Sequence, residues 1–293
     1  MMQFFIKVIF IGVMMVAGVS AEENPWDVRL PFKSATITYD VSGMQSGTEI
    51  LYVDEYGKKK AIFRKTSGTV MFQTIETNTV EITTDEWLYK IDLNKKSGTK
   101  TVNPAKYFKE EYDKLTHKEQ HTVNENAKKM GTSLIAGMQG SVEKNVATIL
   151  GYKVDKTTMM GSTVYIMHGS NIMLKTESQI MGVSSKSVAV ELKKKAVPKN
   201  VFDLPKGVKI TFDKDADTMM RTMVKSMIDR LKDQKAAEKM QEQSTQYRQA
   251  AEEESHRRET QEHESTSESD EQPDQDDLND VVEKGLKALE GLF

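Results

Sequence analysis

The chain has 293 residues, no cysteine, five histidines and a net charge of −3. With no cysteine there can be no disulfide framework, no cysteine nucleophile and no lipid-bearing cysteine behind a leader. The charge is unevenly divided, at +5 over 22–213 and −9 over 214–293. The basic residues of the first part are scattered without interleaved aromatics, which is not the footprint of a nucleic-acid binder.

Residues 1–21 read as a cleaved secretion signal. Lys7 follows the amino terminus, Val8–Val19 is apolar and short for a bilayer span, and Val19-Ser20-Ala21 is a small-residue cleavage pattern. Cleavage is expected after Ala21. It would leave an exported protein, periplasmic or secreted and not lipidated, with no stable membrane span.

Residues 22–213 are predicted to form one β-rich domain. Ala35, Ile37, Tyr39 and Val41 alternate with Thr36, Thr38 and Asp40, a period of two that gives a strand one dry face. Gly47–Val53, a turn at Asp54-Glu55-Tyr56-Gly57 and Lys58–Lys65 read as a hairpin. Val70–Ile75 and Thr79–Thr84 read as a second pair turning near Thr77-Asn78. Trp87, Tyr89 and Ile91 alternate again before a turn at Asn94–Gly98.

A helical insert, 104–140, then interrupts the strands. Pro104 suits a first helical turn, where its missing N–H is not needed. Tyr107, Phe108, Tyr112 and Leu115 recur at helical spacing. Thr116-His117-Lys118-Glu119 fits a capping box that opens a second helix running through Val123, Ala127, Met130 and Leu134 to Gly137 and Gly140.

Short alternating runs resume after the insert. Ser162–His168, Asn171–Met181 and Ser184–Lys194 are punctuated by Gly161, Gly169 and Gly182, and Val197-Pro198 and Leu204-Pro205 end the pairing. The predicted fold class is α+β: about 10–11 antiparallel strands interrupted by a helical insert.

Residues 214–240 are expected to be an amphipathic helix, with Met220, Met223, Met227 and Leu231 on one side. Residues 241–277 are almost wholly Gln, Glu, Ser, Thr and Asp, a composition expected to stay disordered. In 278–293, Leu278, Val281, Val282, Leu286, Leu289 and Phe293 make one stripe of a short helix, of the kind found in coiled coils, which needs a surface to dock on.

Candidate chemistry is sparse. His117 and His121 lie at i and i+4, but HKEQH misplaces the glutamate of the zinc-protease motif and no third ligand is evident. Asp213, Asp215 and Asp217 imitate a calcium loop that then fails at Thr218 and Val224, and acids opening a helix are the better reading. His168 reads as a polar strand-end residue. No catalytic residue, metal or cofactor is expected, and the protein is read as a non-enzyme. The methionines suit either an adaptable apolar cavity or an ordinary core.

Tyr52–Lys65, Leu150-Gly151-Tyr152-Lys153, Met173-Leu174-Lys175-Thr176-Glu177 and Val197-Pro198 with Phe202-Asp203-Leu204-Pro205-Lys206-Gly207-Val208 together resemble the LolA/LolB/LppX-type lipoprotein-carrier superfamily over 31–212. The resemblance implies a strongly curved, unclosed antiparallel β-sheet, a half-barrel, with the insert 104–140 as its helical lid and acyl chains in the hollow. Lid and cavity candidates are then Tyr107, Phe108, Tyr112, Leu115, Met130, Leu134, Met138, Met167 and Met173. The Arg-centred mechanism of the dedicated carriers has no clear counterpart here. Two functions stand side by side. One is a holder of a lipid or lipoprotein acyl chain between sheet and lid. The other is an envelope interaction protein with a self-filled core, docking a protein partner through Leu278–Phe293.

Overall fold

A computed structural model describes residues 24–26, 29–70, 73–137, 140–159, 161–180 and 183–233. The expected signal, 1–21, together with 234–240, the acidic stretch 241–277 and Leu278–Phe293, lies outside the described residues.

Among the described residues twelve strands form one unclosed sheet. In chain order they are β1 (Ala35–Gly43), β2 (Ser46–Asp54), β3 (Lys59–Val70), β4 (Gln73–Thr83), β5 (Trp87–Asp92), β6 (Ser97–Val102), β7 (Ser141–Ile149), β8 (Tyr152–Met159), β9 (Ser162–Met167), β10 (Met173–Ile180), β11 (Val183–Lys193) and β12 (Lys209–Phe212). Their spatial order is β12-β6-β5-β4-β3-β2-β1-β11-β10-β9-β8-β7. The count exceeds the expected 10–11, and the sheet is not wholly antiparallel, because β12 pairs parallel to β6. The Pro-bounded exit does not simply end the pairing. It returns past a short 3-10 turn, Lys199–Phe202, and adds this last strand. A second correction concerns Thr77-Asn78. β4 runs unbroken through both residues, with Thr77 opposite Thr66 and Asn78 opposite Lys65.

The ladders from β1 to β6 run without bulges, so directly opposed residues fix the two faces. One face carries Ile37, Leu51, Ile62, Glu81, Lys90 and Thr99. The other carries Tyr52, Ala61, Ile82 and Tyr89. The sheet buries the first face at β1–β2 and the second at β3–β5. Ala35, Ile37, Tyr39, Leu51 and Val53 join Leu30, Phe32, Val154, Met167, Ile172, Leu174 and Ala189 in one core. Ala61, Val80, Ile82 and Ile91 form another, packed beneath Phe202, Val208 and Ile210 of the returning exit. A Cβ at Gly98 would collide with the Lys90 carbonyl of β5 and then crowd Ile210, so glycine suits the position where the return packs.

The sheet is curled. Four inter-strand steps separate β3 from β10, about 19 Å if laid flat. Lys60 of β3 nevertheless hydrogen-bonds Asn171, two residues before β10, at 3.3 Å. Lys60 shares its face with Ile62 and Val53, so this face lies on the inside of the curl. Leu30 and Phe32 close one end, with Leu30 N–H donating to the Tyr56 carbonyl and Tyr56 N–H to that of Lys33.

Three helices complete the described fold: α1 (Pro104–Tyr112), α2 (His117–Gly137) and α3 (Lys214–Leu231). Asn103 caps α1 through Ala105 N–H with Pro104 in its first turn, and Thr116 and Glu119 exchange hydrogen bonds at the start of α2. The insert leaves β6, which lies beside the edge strand β12, and rejoins the sheet at β7, the opposite edge. It therefore joins the two sides of the open sheet.

Candidate functional site

The inner face is graded along the strands. Its closed end is aliphatic, with Ala35, Ile37, Leu51 and Val53 buried. Further along lies a polar group. Tyr39 is buried and faces Glu49 across the β1–β2 ladder, and Glu49 faces Arg64 across β2–β3. Arg64 grips Glu49 Oε2 through Nε at 2.7 Å and Nη2 at 2.6 Å, an arrangement that leaves the pair neutral overall. Burial, reinforced by the Glu49 charge, pushes the Tyr39 phenol far above its usual range, so it stays a neutral hydroxyl.

Beyond this group a row of small residues crosses the sheet. Thr157 opposes Val164, which opposes Thr176, then Ser187, Val41, Gly47, Thr66 and Thr77. Gln45 folds over one end of the row, accepting from Thr66 Oγ1 at 2.9 Å and donating to Thr77 Oγ1 at 3.2 Å. Gly68 makes room for this turn, because a Cβ there would collide with the Met44 carbonyl. Thr157, Ser162 and Tyr39 are buried residues, yet among the described residues no side-chain hydrogen bond satisfies their hydroxyls. Among the described residues, too, no side-chain polar atom is sealed off without a partner. None of these hydroxyl oxygens is therefore completely sealed off.

The helical residues assemble elsewhere. Tyr107, Phe108 and Tyr112 of α1 pack with Val123 and Ala127 of α2 and with Val224, Met227, Ile228 and Leu231 of α3, with Leu115 at the margin. Trp26 stacks on Phe108 at 4.5 Å between ring centroids. The cluster is tied to the sheet through one carboxylate. Asp217 accepts from Val102 N–H at 2.8 Å and from Tyr107 Oη at 2.7 Å. Buried Asn126 donates its amide to the Leu231 and Asp233 carbonyls, closing the end of α3.

The nine lid and cavity candidates thus fall in different places. Tyr107, Phe108, Tyr112 and Leu115 share the helical cluster. Met167 belongs to the core at the closed end, and Met173 packs on a small cluster of Val164 and Ile166. Met130 and Leu134 lie on the backbone of α2, but their side chains, like Met138 as a whole, are outside the described residues. Tyr39, Glu49, Lys60 and Arg64 carry no signal in the sequence that marks them as site residues. A polar residue on a strand reads as water-facing unless the curl of the sheet is known.

Three other sequence candidates have structural partners. Asp213 caps α3 through Ala216 N–H, and Asp217 makes the tie above. His168 Nδ1 lies 2.9 Å from Asp155. Among the described residues no group of three metal-ligating side chains is assembled. None of the described helices is long and apolar enough to cross a membrane.

No family model matches the chain, and no curated protein does. Solved structures do overlap with it. An uncharacterized conserved protein from Thermus thermophilus aligns with a TM-score of 0.37 and 8% identity, over 62% of this chain and 91% of that one. LprF from Mycobacterium bovis aligns with a TM-score of 0.28 and 8% identity, over 69% of this chain and 98% of that one. PNGF-II aligns with a TM-score of 0.32 and 15% identity, over 66% of this chain but 33% of its own length.

Proposed function

We propose that this is an exported, non-enzymatic protein that holds an apolar ligand, a lipid or acyl chain, against the inner face of its curled sheet, beneath the helical insert. One observation carries the reading. The sheet is left open, its two sides are joined by helices, and the inner face between them presents aliphatic side chains followed by hydroxyls that no described protein group satisfies. A sheet filled entirely by its own side chains has no use for such hydroxyls, because an unsatisfied polar group in a dry core costs about 1–3 kcal/mol. An amphiphile or water meeting them removes that cost.

In this reading the insert acts as a lid whose own packing is handled by α3 and Trp26, so it need not be held by the ligand. The tie at Asp217 is the point about which it would be held or released. Delipidated protein incubated with a fluorescent fatty-acyl probe tests the reading. Saturable binding displaced by unlabelled acyl chains supports it; no binding, with the folded state intact, removes it.

A further inference from the structure

Lys60 is a cation inside the curl with no anion beside it among the described residues. It projects from β3 between Val53 and Thr83, on the face of the aliphatic core. Its stem runs beside the turn at Gly57, where an added Cβ would lie 3.8 Å from Cε, next to Leu30. Its ammonium makes one long hydrogen bond, to Asn171 Oδ1 at 3.3 Å, and among the described residues no carboxylate lies within ion-pair distance. An ammonium carries three donors, so this bond leaves capacity unused. Some other lysines of the sheet have a carboxylate beside them: Lys59 pairs with Glu55, Lys156 with Glu143 and Lys175 with Glu177.

Burial drags the Lys60 amine down to about 8, which records what it costs to keep this charge where it is. The residue as a whole still keeps part of its surface accessible. A surrounded cation with accessible surface and no counter-ion is a place where an incoming anion gains on both counts: it is attracted, and it neutralises a charge the fold has left unmatched. The nearest surface is apolar. Half-buried Ile62 lies two residues along the same face, and Leu51 opposes it.

We propose that Lys60 anchors the acid group of the ligand, with Asn171 beside it, so that the hollow takes single-headed acidic amphiphiles (carboxylate or phosphate monoester) in preference to neutral ones. This rests on the reading of the hollow as a binding site. Glu49–Arg64 is already matched and adds no net charge, so it does not compete for the acid group.

The test measures binding of palmitic acid, hexadecyl phosphate and hexadecanol to the purified full chain, to K60Q and to K60R, each checked for folding by circular dichroism. The expected result is that both acids bind the unaltered protein about tenfold or more tighter than hexadecanol, as a charge-assisted hydrogen bond implies. K60Q should bring all three together, and K60R should keep the preference. A preference for hexadecyl phosphate alone narrows the group to a phosphate; a preference for both leaves any acid. Equal binding of all three to the unaltered protein, or a preference that survives in K60Q, overturns the anchor while leaving the hollow in place. No binding of any of them overturns the hollow and the anchor together. If K60Q fails to fold, K60M gives the same reading.

Discussion

The helical cluster and the inner face of the sheet are built on opposite terms. In the cluster the polar groups that go inside have partners. Tyr112 Oη donates to Asn124, Asn126 caps α3, and Asp217 takes both Val102 N–H and Tyr107 Oη. The rest is aromatic and aliphatic packing. The inner face mixes a solid aliphatic end with an ammonium held only by the Asn171 amide oxygen, and with a buried phenol and hydroxyls that lack side-chain hydrogen bonds among the described residues. The difference separates a part that serves to hold together from a part that keeps hydrogen-bonding and charge capacity in reserve.

The largest effect should come from a charge placed in the cluster. Ile228 is buried in the packing that joins the three helices, and Ile228→Asp should cost more than about 3 kcal/mol locally. Hydrogen exchange should show α1, α2 and α3 losing protection while β1, β2 and β11 keep theirs. Simultaneous loss everywhere would mean that the two regions are one cooperative unit and would break the comparison. Ile37→Ala, in the aliphatic end, should cost about 2–4 kcal/mol in urea titration and weaken the sheet first.

Asp217→Asn keeps one acceptor but loses the charge, and should cost about 1–3 kcal/mol. Its diagnostic readout is faster exchange at Val102 N–H with the helices intact, which would identify the tie as the hinge of the insert.

A pH series sharpens the contrast on the sheet side. The folded pKa of Lys60 lies near 8, below its value of 10.5 in the unfolded chain. Between these values the unfolded state binds more protons, so stability rises with pH. Allowing for partial exposure, the gain from pH 8 to 10 should be about 1–2 kcal/mol, absent in K60M. Above pH 10 the trend should reverse, because Tyr39 keeps its proton in the folded state while the unfolded phenol ionises. Denaturation midpoints of both proteins across this range check it. The smallest effect is at the exposed start of α2, where Thr116→Ala should cost about 1 kcal/mol by removing the cap it shares with Glu119.

Much of the sheet could be read from the chain because alternation is a local signal. Ala35–Val41 and Ser184–Lys194 declared their strands, and Pro104 and Thr116–Glu119 declared where helices start. What alternation does not carry is the partner of a buried face. The stripe Tyr107, Phe108, Tyr112, Leu115 says only that one side of a helix is dry. That it meets α3 and Trp26 depends on contacts more than a hundred residues away in the case of α3. The parallel strand β12 was hidden for the same reason, since Lys209–Phe212 is short and its ladder with β6 is long-range. Lys60 and Glu49 became internal only through the curl. A lysine between Lys59 and Ala61 in a strand otherwise reads as a residue facing water.

Whether the inner face has an occupant decides between a carrier and a self-filled sheet. Native mass spectrometry of the protein purified without detergent, followed by organic extraction, measures this directly. The predicted result is a complex heavier than the polypeptide by the mass of a lipid or acyl species, which the extraction releases and identifies. A polypeptide of unadorned mass, an empty extract and no uptake of added acyl chains would contradict it.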